Sequence, residues 1–347
     1  MTARLERFPL QLVCLLLTAC APAGQSSSTG VIVERARVSM GSDVRLTAYV
    51  TDEPRAFRAF EEVFDEFDRL DRLMSVWKEG SDVLRMNAQA GQMPVKVSPE
   101  TLDVLRTARQ VSEWTGGKFD VTFGALSGLW KFDHDQDNQI PAAADVRARL
   151  PDIDFTAVEL DDGAATVYLR RRGVRVHLGG IGKGYAVDRA AAILRGNGLG
   201  DFLIQSGGDL YASGRHGERP WRAGIRDPRG PVDRIIAAVN LHDETFSTSG
   251  DYERYFLRDG RRYHHILDPD EGMPAHGCRS VTIVTKRAVI ADGLSTGVFV
   301  LGPQAGLALI EKLPDVEGVI VTDRNEVLVS SGLRARLELM RPPTDAP

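Results

Sequence analysis

The sequence predicts an α+β fold, because helical and strand patterns are mixed along the chain without a regular strand–helix–strand repeat. Apolar residues, among them Phe57, Phe60, Phe64 and Phe67, recur at three- and four-residue steps after Pro54, which indicates a long amphipathic helix whose Phe stripe faces the core. Short apolar runs between glycine turns, such as 202–205, indicate strands. The chain has 347 residues, of which 43% are hydrophobic, and shows no internal repeat or linker within the body. We therefore expect a single domain over 31–340 and a short tail at 341–347.

Local signals place the individual elements. A Ser98 cap followed by Pro99 opens a second helix, which ends at the glycine pair 116–117. The other predicted helices cover 184–195, 288–301 and 303–312. Strands are predicted at 31–38, 44–50, 165–169, 174–178, 202–205, 221–226, 234–241, 255–257, 281–285, 319–321 and 327–330. Turns are predicted at 40–42 and 206–209, and a polar loop at 247–251.

The first nineteen residues are predicted to be an export signal rather than part of the fold. The apolar segment 8–19 is too short to span a bilayer but suits a secretory signal. It leads into the sequence Leu-Thr-Ala-Cys at 17–20, which resembles a bacterial lipobox, in which the cysteine is acylated. The alternative is an ordinary signal peptide with a chance cysteine. Because 20–30 is rich in Pro, Gly and Ser, we expect a flexible tether and a protein held by a Cys20 lipid at the periplasmic face of the inner or outer membrane.

Charge and cysteine content exclude several classes of protein. The chain carries 43 Lys and Arg against 48 Asp and Glu, a net charge of −5. A nucleic-acid-binding protein normally presents a basic face, so no nucleic acid is expected as a partner. Cys14 would leave with the signal and Cys20 would carry lipid, so Cys278 would be the remaining thiol. An internal disulfide and a cysteine-based zinc site are therefore not expected.

Two segments carry candidate phosphate and metal chemistry. The glycine-rich stretch 179–184 lies between a predicted strand and a helix, where backbone N–H groups favour phosphate and Lys183 could add a charge. Its spacing matches neither a Walker loop nor a Rossmann fingerprint, so a tight structural turn is the alternative. Asp292 and Thr296 lie four residues apart on one helix face and could offer hard oxygens to Mg²⁺. The alternative there is an Asp292 that complements the helix dipole.

Further candidates are aromatic and imidazole side chains. His264 and His265 are adjacent in a predicted strand and point to opposite faces, which argues against a paired zinc site. One of them could be a general base near a phosphoryl centre, and a capping role is equally compatible with the pattern. Trp77 follows the first helix and could stack on a planar ring.

In their order along the chain, these motifs resemble those of the ApbE family. The matching segments run from Met40 to Gly302 and are 40–41, 74–77, 117–122, 178–188, 206–209, 249–252, 265–269 and 291–296. The family consists of FAD:protein FMN transferases. The resemblance therefore implies an ApbE-like catalytic domain that takes FAD as substrate and requires Mg²⁺. It also implies that FMN is moved onto a Ser or Thr hydroxyl of an acceptor flavoprotein and that AMP is released.

The resemblance also implies roles for individual residues. Mg²⁺ would be held by the side chains of Asp292 and Thr296 and by the Gly182 carbonyl. Lys183 would lie near the pyrophosphate, and His265 would activate the acceptor hydroxyl. The residues implied to line the FAD site are Met40, Trp77, Asp120, Thr122, Lys183, Asp209, Ser249, His265 and Ile266.

Three departures from the family pattern bear on these expectations. Gly182 and Gly293 stand where alanine is common, and the pair 270–271, Asp-Glu, replaces Arg-Thr and adds negative charge. None of the three removes an implied metal ligand. The added negative charge at 270–271 bears on the contacts with the acceptor protein. Two alternatives stay open: a FAD pyrophosphatase that uses water as acceptor, and a non-catalytic FAD-binding lipoprotein.

Overall fold

An antiparallel sheet of eight strands lies at the centre of the residues that this computed structural model describes, 30–133 and 135–346. The strands in this part of the chain are β1 (Val31–Ser39), β2 (Ser42–Val50), β3 (Val95–Lys96), β4 (Val158–Asp161), β5 (Thr166–Leu169), β6 (Phe202–Ser206), β7 (Asp209–Ser213), β8 (Arg215–His216), β9 (Arg219–Arg226), β10 (Ile235–Leu241), β11 (Glu244–Gly250), β12 (Tyr255–Arg258), β13 (Arg261–His264), β14 (Leu267–Asp268), β15 (Met273–Pro274), β16 (Cys278–Thr285), β17 (Glu317–Thr322), β18 (Val327–Val329) and β19 (Leu337–Leu339). The order across the central sheet is β1-β2-β6-β7-β11-β16-β17-β18. The predicted signal peptide and Cys20 lie outside the described residues.

Helices cover one face of this sheet. The helices in the described residues are α1 (Glu53–Met74), α2 (Asp82–Ala88), α3 (Pro99–Trp114), α4 (Ala143–Arg149), α5 (Gly182–Gly196), α6 (Ala288–Leu301) and α7 (Pro303–Ile310). Of these, α1, α5, α6 and α7 contact strands of the central sheet, whereas α4 packs in a separate cluster with Trp130 and Phe256. The predicted Phe stripe of α1 is buried and contributes Phe60, Phe64 and Phe67 to a core that includes Leu46 and Val281 of the sheet. No helix in the described ranges has the length and hydropathy of a membrane span.

A second sheet covers the opposite face. Its strand order is β19-β10-β9-β8, and its Ile225 and Ile236 pack with Phe246 and Val319 of the central sheet. All eight residues of β16 are buried, because this strand is covered on both faces. The predicted α+β class is therefore confirmed, with helices, a central sheet and a smaller sheet stacked in that order.

Two predicted elements are wrong, and hydrogen bonding explains both. Residues 174–178 form no strand in the described part of the chain, because the Asn87 side chain bonds both the N–H and the carbonyl of Val176, at 2.8 and 2.9 Å. The predicted loop at 247–251 is mostly β11, a strand inside the central sheet. Its polar side chains are satisfied within the sheet, for example by the 2.9 Å contact between the Thr248 and Thr282 hydroxyls. Helices α2 and α4 were not predicted.

Helices α5 and α6 cross at Gly184 with almost no space between their backbones. A Cβ at this position would lie 2.3 Å from the Ala288 carbonyl oxygen and 2.7 Å from the Asp292 Cβ. Glycine is therefore required for this approach. The approach brings the N-terminus of α5 to the helix that carries Asp292.

We expect Gly184→Ala to lower the free energy of unfolding by roughly 1–3 kcal/mol, because the added methyl group overpacks the crossing. The matched control is Gly196→Ala at the other end of α5, where nothing lies within 4 Å of the added carbon. That substitution should instead be neutral or stabilising, by up to about 1 kcal/mol. Urea denaturation followed by far-UV circular dichroism measures both, and equal effects would contradict the close crossing.

Candidate active site

The candidate site is centred where the glycine-rich turn meets α6. The Gly184 N–H donates to Asp292 Oδ2 at 2.9 Å, so the first turn of α5 holds the carboxylate directly. A second link comes from Asp188, whose carboxylate accepts from the N–H groups of Ala288 and Val289 at 2.7 and 3.1 Å. Asp188 thereby caps the start of α6 from the neighbouring helix. These two carboxylates fix the relative position of the helices.

Lys183 lies between two carboxylates. Its Nζ is 3.3 Å from Asp209 Oδ2 and 3.8 Å from Asp292 Oδ1. Burial, reinforced by the Asp209 charge, raises the pKa of Asp292 to about 7, although Lys183 opposes this shift. Burial would lower the pKa of Lys183, but the two carboxylates raise it overall, so the ammonium stays charged. The site thus contains two acidic groups and one cation within contact distance.

Hydroxyl groups complete the oxygen-rich side of the site. Ser249 Oγ, near the end of β11, lies 2.8 Å from Ser295 Oγ and 3.0 Å from Thr296 Oγ1. The glycine turn passes close to Thr296, since a Cβ placed at Gly180 would lie 3.6 Å from Thr296 Oγ1. The structure therefore brings the Asp292 carboxylate and the Thr296 hydroxyl to the same glycine turn.

This donor set fits the predicted Mg²⁺ site. Across 30–133 and 135–346, no cluster of three His, Cys, Asp or Glu side chains could hold a metal. A cation at the turn would rely on the Asp292 carboxylate, the Thr296 hydroxyl and a carbonyl such as that of Gly182. Oxygen donors of this kind suit Mg²⁺, which keeps several waters and takes few protein ligands.

The two adjacent histidines have different surroundings, and β13 ends at His264, so His265 lies just outside the strand. His264 is buried, its Nε2 lies 3.1 Å from the Ala275 carbonyl oxygen, and its Nδ1 accepts from the Ile266 N–H at 3.3 Å. The buried His265 Nδ1, by contrast, has no hydrogen-bond partner among the described residues. Burial, together with the positive charge of Arg254, lowers the pKa of His265 to about 3. His265 is therefore a neutral imidazole with an available nitrogen.

Of the other predicted flavin-site residues, Met40 and Asp209 lie beside this centre. Met40 forms the β1–β2 turn with φ of 50°, an uncommon value for a residue with a side chain, and its Cε would lie 3.7 Å from a Cβ at Gly182. Trp77 follows α1 and is 57% exposed. Ile266 is buried in the main core, and Asp209 accepts a hydrogen bond from the Ser247 hydroxyl. Their roles in FAD binding stay predictions.

Asp120 and Thr122 hold a loop together. The Asp120 carboxylate accepts from the Thr122 N–H and hydroxyl at 2.7 and 2.6 Å, and from the Phe155 N–H at 2.8 Å. The Thr122 hydroxyl in turn accepts from the Asp154 N–H at 2.7 Å. Burial raises the pKa of Asp120, although the Thr122 bonds oppose that shift. The contacts of these two residues therefore organise the segment that follows α3.

Sequence reasoning missed Lys118, which lies inside the predicted motif 117–122. Its Nζ is 2.8 Å from both carboxylate oxygens of Asp268 and 2.9 Å from Asp270 Oδ2. The negative charge that Asp270 adds is thus balanced by a cation within reach. The signal was present in the sequence, since a lysine in one motif and an Asp pair in another are complementary.

The chain is similar in sequence to known proteins. The family model named ApbE family matches residues 40–320. The chain belongs to the ApbE family. It is 33% identical to the FAD:protein FMN transferase of Treponema pallidum over 95% of this chain and 94% of that protein. It is also 33% identical to a Klebsiella pneumoniae protein of the same name over 86% and 92%.

Solved structures agree with this assignment. The ApbE protein of Thermotoga maritima superposes with a TM-score of 0.81 at 33% identity, covering 88% of this chain and 99% of that one. The flavin transferase ApbE of Vibrio cholerae gives a TM-score of 0.79 at 26% identity with the same coverage. The predicted family and fold are both confirmed.

Proposed function

We propose that this chain is a Mg²⁺-dependent FAD:protein FMN transferase that moves FMN onto a Ser or Thr hydroxyl of an acceptor flavoprotein and releases AMP. The names of its ApbE relatives support the transfer of FMN from FAD. The observation that carries the proposal is the Gly184–Asp292 contact, which joins a phosphate-binding type of helix start to a buried carboxylate.

A metal ion would be held by Asp292, Thr296 and the Gly182 carbonyl. Bound there, Mg²⁺ would neutralise negative charge on the pyrophosphate of FAD. Lys183 places a second positive charge beside the same carboxylates. Phosphoryl transfer depends mainly on such positioning and charge stabilisation, so few reactive side chains are needed.

His265 would accept the proton of the acceptor hydroxyl. As the proton passes to the imidazole, the hydroxyl oxygen bonds to the phosphorus on the FMN side, and the bond from that phosphorus to the bridging oxygen breaks. AMP leaves with the bridging oxygen and its electron pair. The imidazole is neutral, and its buried Nδ1 has no hydrogen-bond partner among the described residues, so this nitrogen can accept the proton.

We expect Asp292→Asn to reduce AMP release at least 100-fold at millimolar Mg²⁺, because the buried carboxylate ligand loses its charge. The assay incubates residues 31–347 with FAD and Mg²⁺, with or without an acceptor domain, and measures AMP, free FMN and acceptor mass. The exposed Asp315→Asn serves as the control with the same chemical change. Wild-type turnover by Asp292→Asn would remove the metal assignment.

The same assay separates the alternatives. AMP together with an FMN-sized mass gain on the acceptor supports the transferase. AMP with equal free FMN, independent of the acceptor, identifies a pyrophosphatase. FAD that binds but stays intact in every arm identifies a flavin carrier.

The pH dependence tests His265. Since its pKa is lowered to about 3, the imidazole is unprotonated from pH 5 upward and is lost as a base only as pH falls through 3. We therefore expect that protonation of His265 causes no loss of activity between pH 5 and 8. His265→Gln should lower kcat by about 10²–10⁴-fold with FAD affinity retained. The exposed His276→Gln is the control, and an unchanged kcat in His265→Gln would exclude the proposed base.

We further propose that Cys20 carries the lipid that holds the enzyme at the periplasmic face of the membrane. The support is the lipobox-like sequence at 17–20 and the tether that follows. Metabolic labelling with palmitate in bacterial cells should tag the wild type and not Cys20→Ser. Labelling of both would place the lipid elsewhere, and labelling of neither would exclude an anchor.

A further inference from the structure

Arg254 lies at the base of a hairpin beside the candidate base. It directly precedes β12, and its carbonyl oxygen accepts the His265 N–H at 3.1 Å. This backbone bond ties Arg254 to the strand connection that carries His265. Its side chain therefore starts from a defined point at the edge of the site.

The guanidinium of Arg254 makes a single described ion pair. Its Nη1 donates to Asp133 Oδ1 at 2.7 Å, and the two side chains are 44% and 36% exposed. Solvent-exposed pairs of this kind contribute only about 0–1 kcal/mol. The Asp133 contact can therefore be exchanged for a more highly charged partner at little cost.

The charge of Arg254 acts on groups on both sides of the site. After burial, it is the next largest cause of the lowered pKa of His265. Together with burial, and against the charge of Asp133, it also lowers the pKa of His177, whose Nδ1 accepts the N–H of Gly179 in the glycine turn at 3.0 Å. Arg254 therefore lies within electrostatic range of His265 and of the residue that precedes the turn.

The charge balance leaves Arg254 as a cation available to a ligand. Lys183 is shared by Asp209 and Asp292, whereas the single partner described for Arg254 lies on an exposed segment. A bound pyrophosphate would add negative charge, and Lys183 is already shared by two carboxylates. Arginine binds phosphate through two parallel N–H bonds, which a lysine cannot do.

We propose that Arg254 is a further phosphate-binding residue of this site, exchanging its contact with Asp133 for an oxygen of the FAD pyrophosphate. This inference rests on the proposed function for the identity of the ligand. Asp133 then acts as a competing counter-ion. Removing it and removing Arg254 must have opposite effects on the binding of FAD.

The test compares Arg254→Gln, Asp133→Asn and the double variant, with Arg258→Gln on the same hairpin as the exposed control. Binding of FAD and of riboflavin, which lacks phosphate, is measured by flavin fluorescence. We expect Arg254→Gln to weaken FAD binding about tenfold or more and to leave riboflavin binding unchanged. Asp133→Asn should tighten FAD binding or leave it unchanged, and the double variant should resemble Arg254→Gln.

Two outcomes would overturn the inference. Equal weakening by Arg254→Gln and Asp133→Asn would mean that the pair merely holds the loop in place. Equal loss of FAD and riboflavin in Arg254→Gln would show a general disturbance of the site. Because binding is measured without turnover, absence of FMN transfer would count against the proposed function and not against this one.

Discussion

The close crossing of α5 and α6 is the constraint on which the site depends. Gly184 has no Cβ, so the backbone of the glycine turn reaches the Asp292 carboxylate and donates to it at 2.9 Å. Asp188 reinforces the crossing from the other side by capping α6. Because each helix supplies groups that hold the other, the turn, Lys183 and the helix that bears Asp292 and Thr296 form one rigid unit.

That unit concentrates negative charge that the fold alone does not neutralise. Asp209 and Asp292 share Lys183, and the pKa of Asp292 is raised to about 7 because burial and the second carboxylate both disfavour its charged form. A divalent cation bound at Asp292 would reverse this preference. Burial and the neighbouring carboxylate therefore favour a positive charge beside Asp292, which agrees with the proposed Mg²⁺ site.

The sequence predicted the parts of the fold that local patterns determine. The Phe stripe of α1, the Ser98 cap and the turn at Met40 are all encoded within a few residues. The errors arose where residues distant in the chain determine the local structure. The Asn87 side chain forms hydrogen bonds with the backbone of Val176, and paired hydroxyl groups allow β11 to be a strand despite its polar composition. Lys118 and Arg254 were missed for the same reason, since their partners lie far away in the chain. The order of the motifs still identified the family, because the motifs are spread over almost the whole chain.

The site divides into a fixed part and an adjustable part. The fixed part, around Asp292 and Gly184, is buried, and exchanging its hydrogen bonds would leave polar groups unpaired in a low-dielectric interior. The adjustable part, Arg254 with Asp133, is half exposed, so water can replace either partner during an exchange. The proposed reaction needs both parts. The buried part would keep the metal ligands in place, and the exposed Arg254 would exchange Asp133 for a phosphate oxygen when FAD binds.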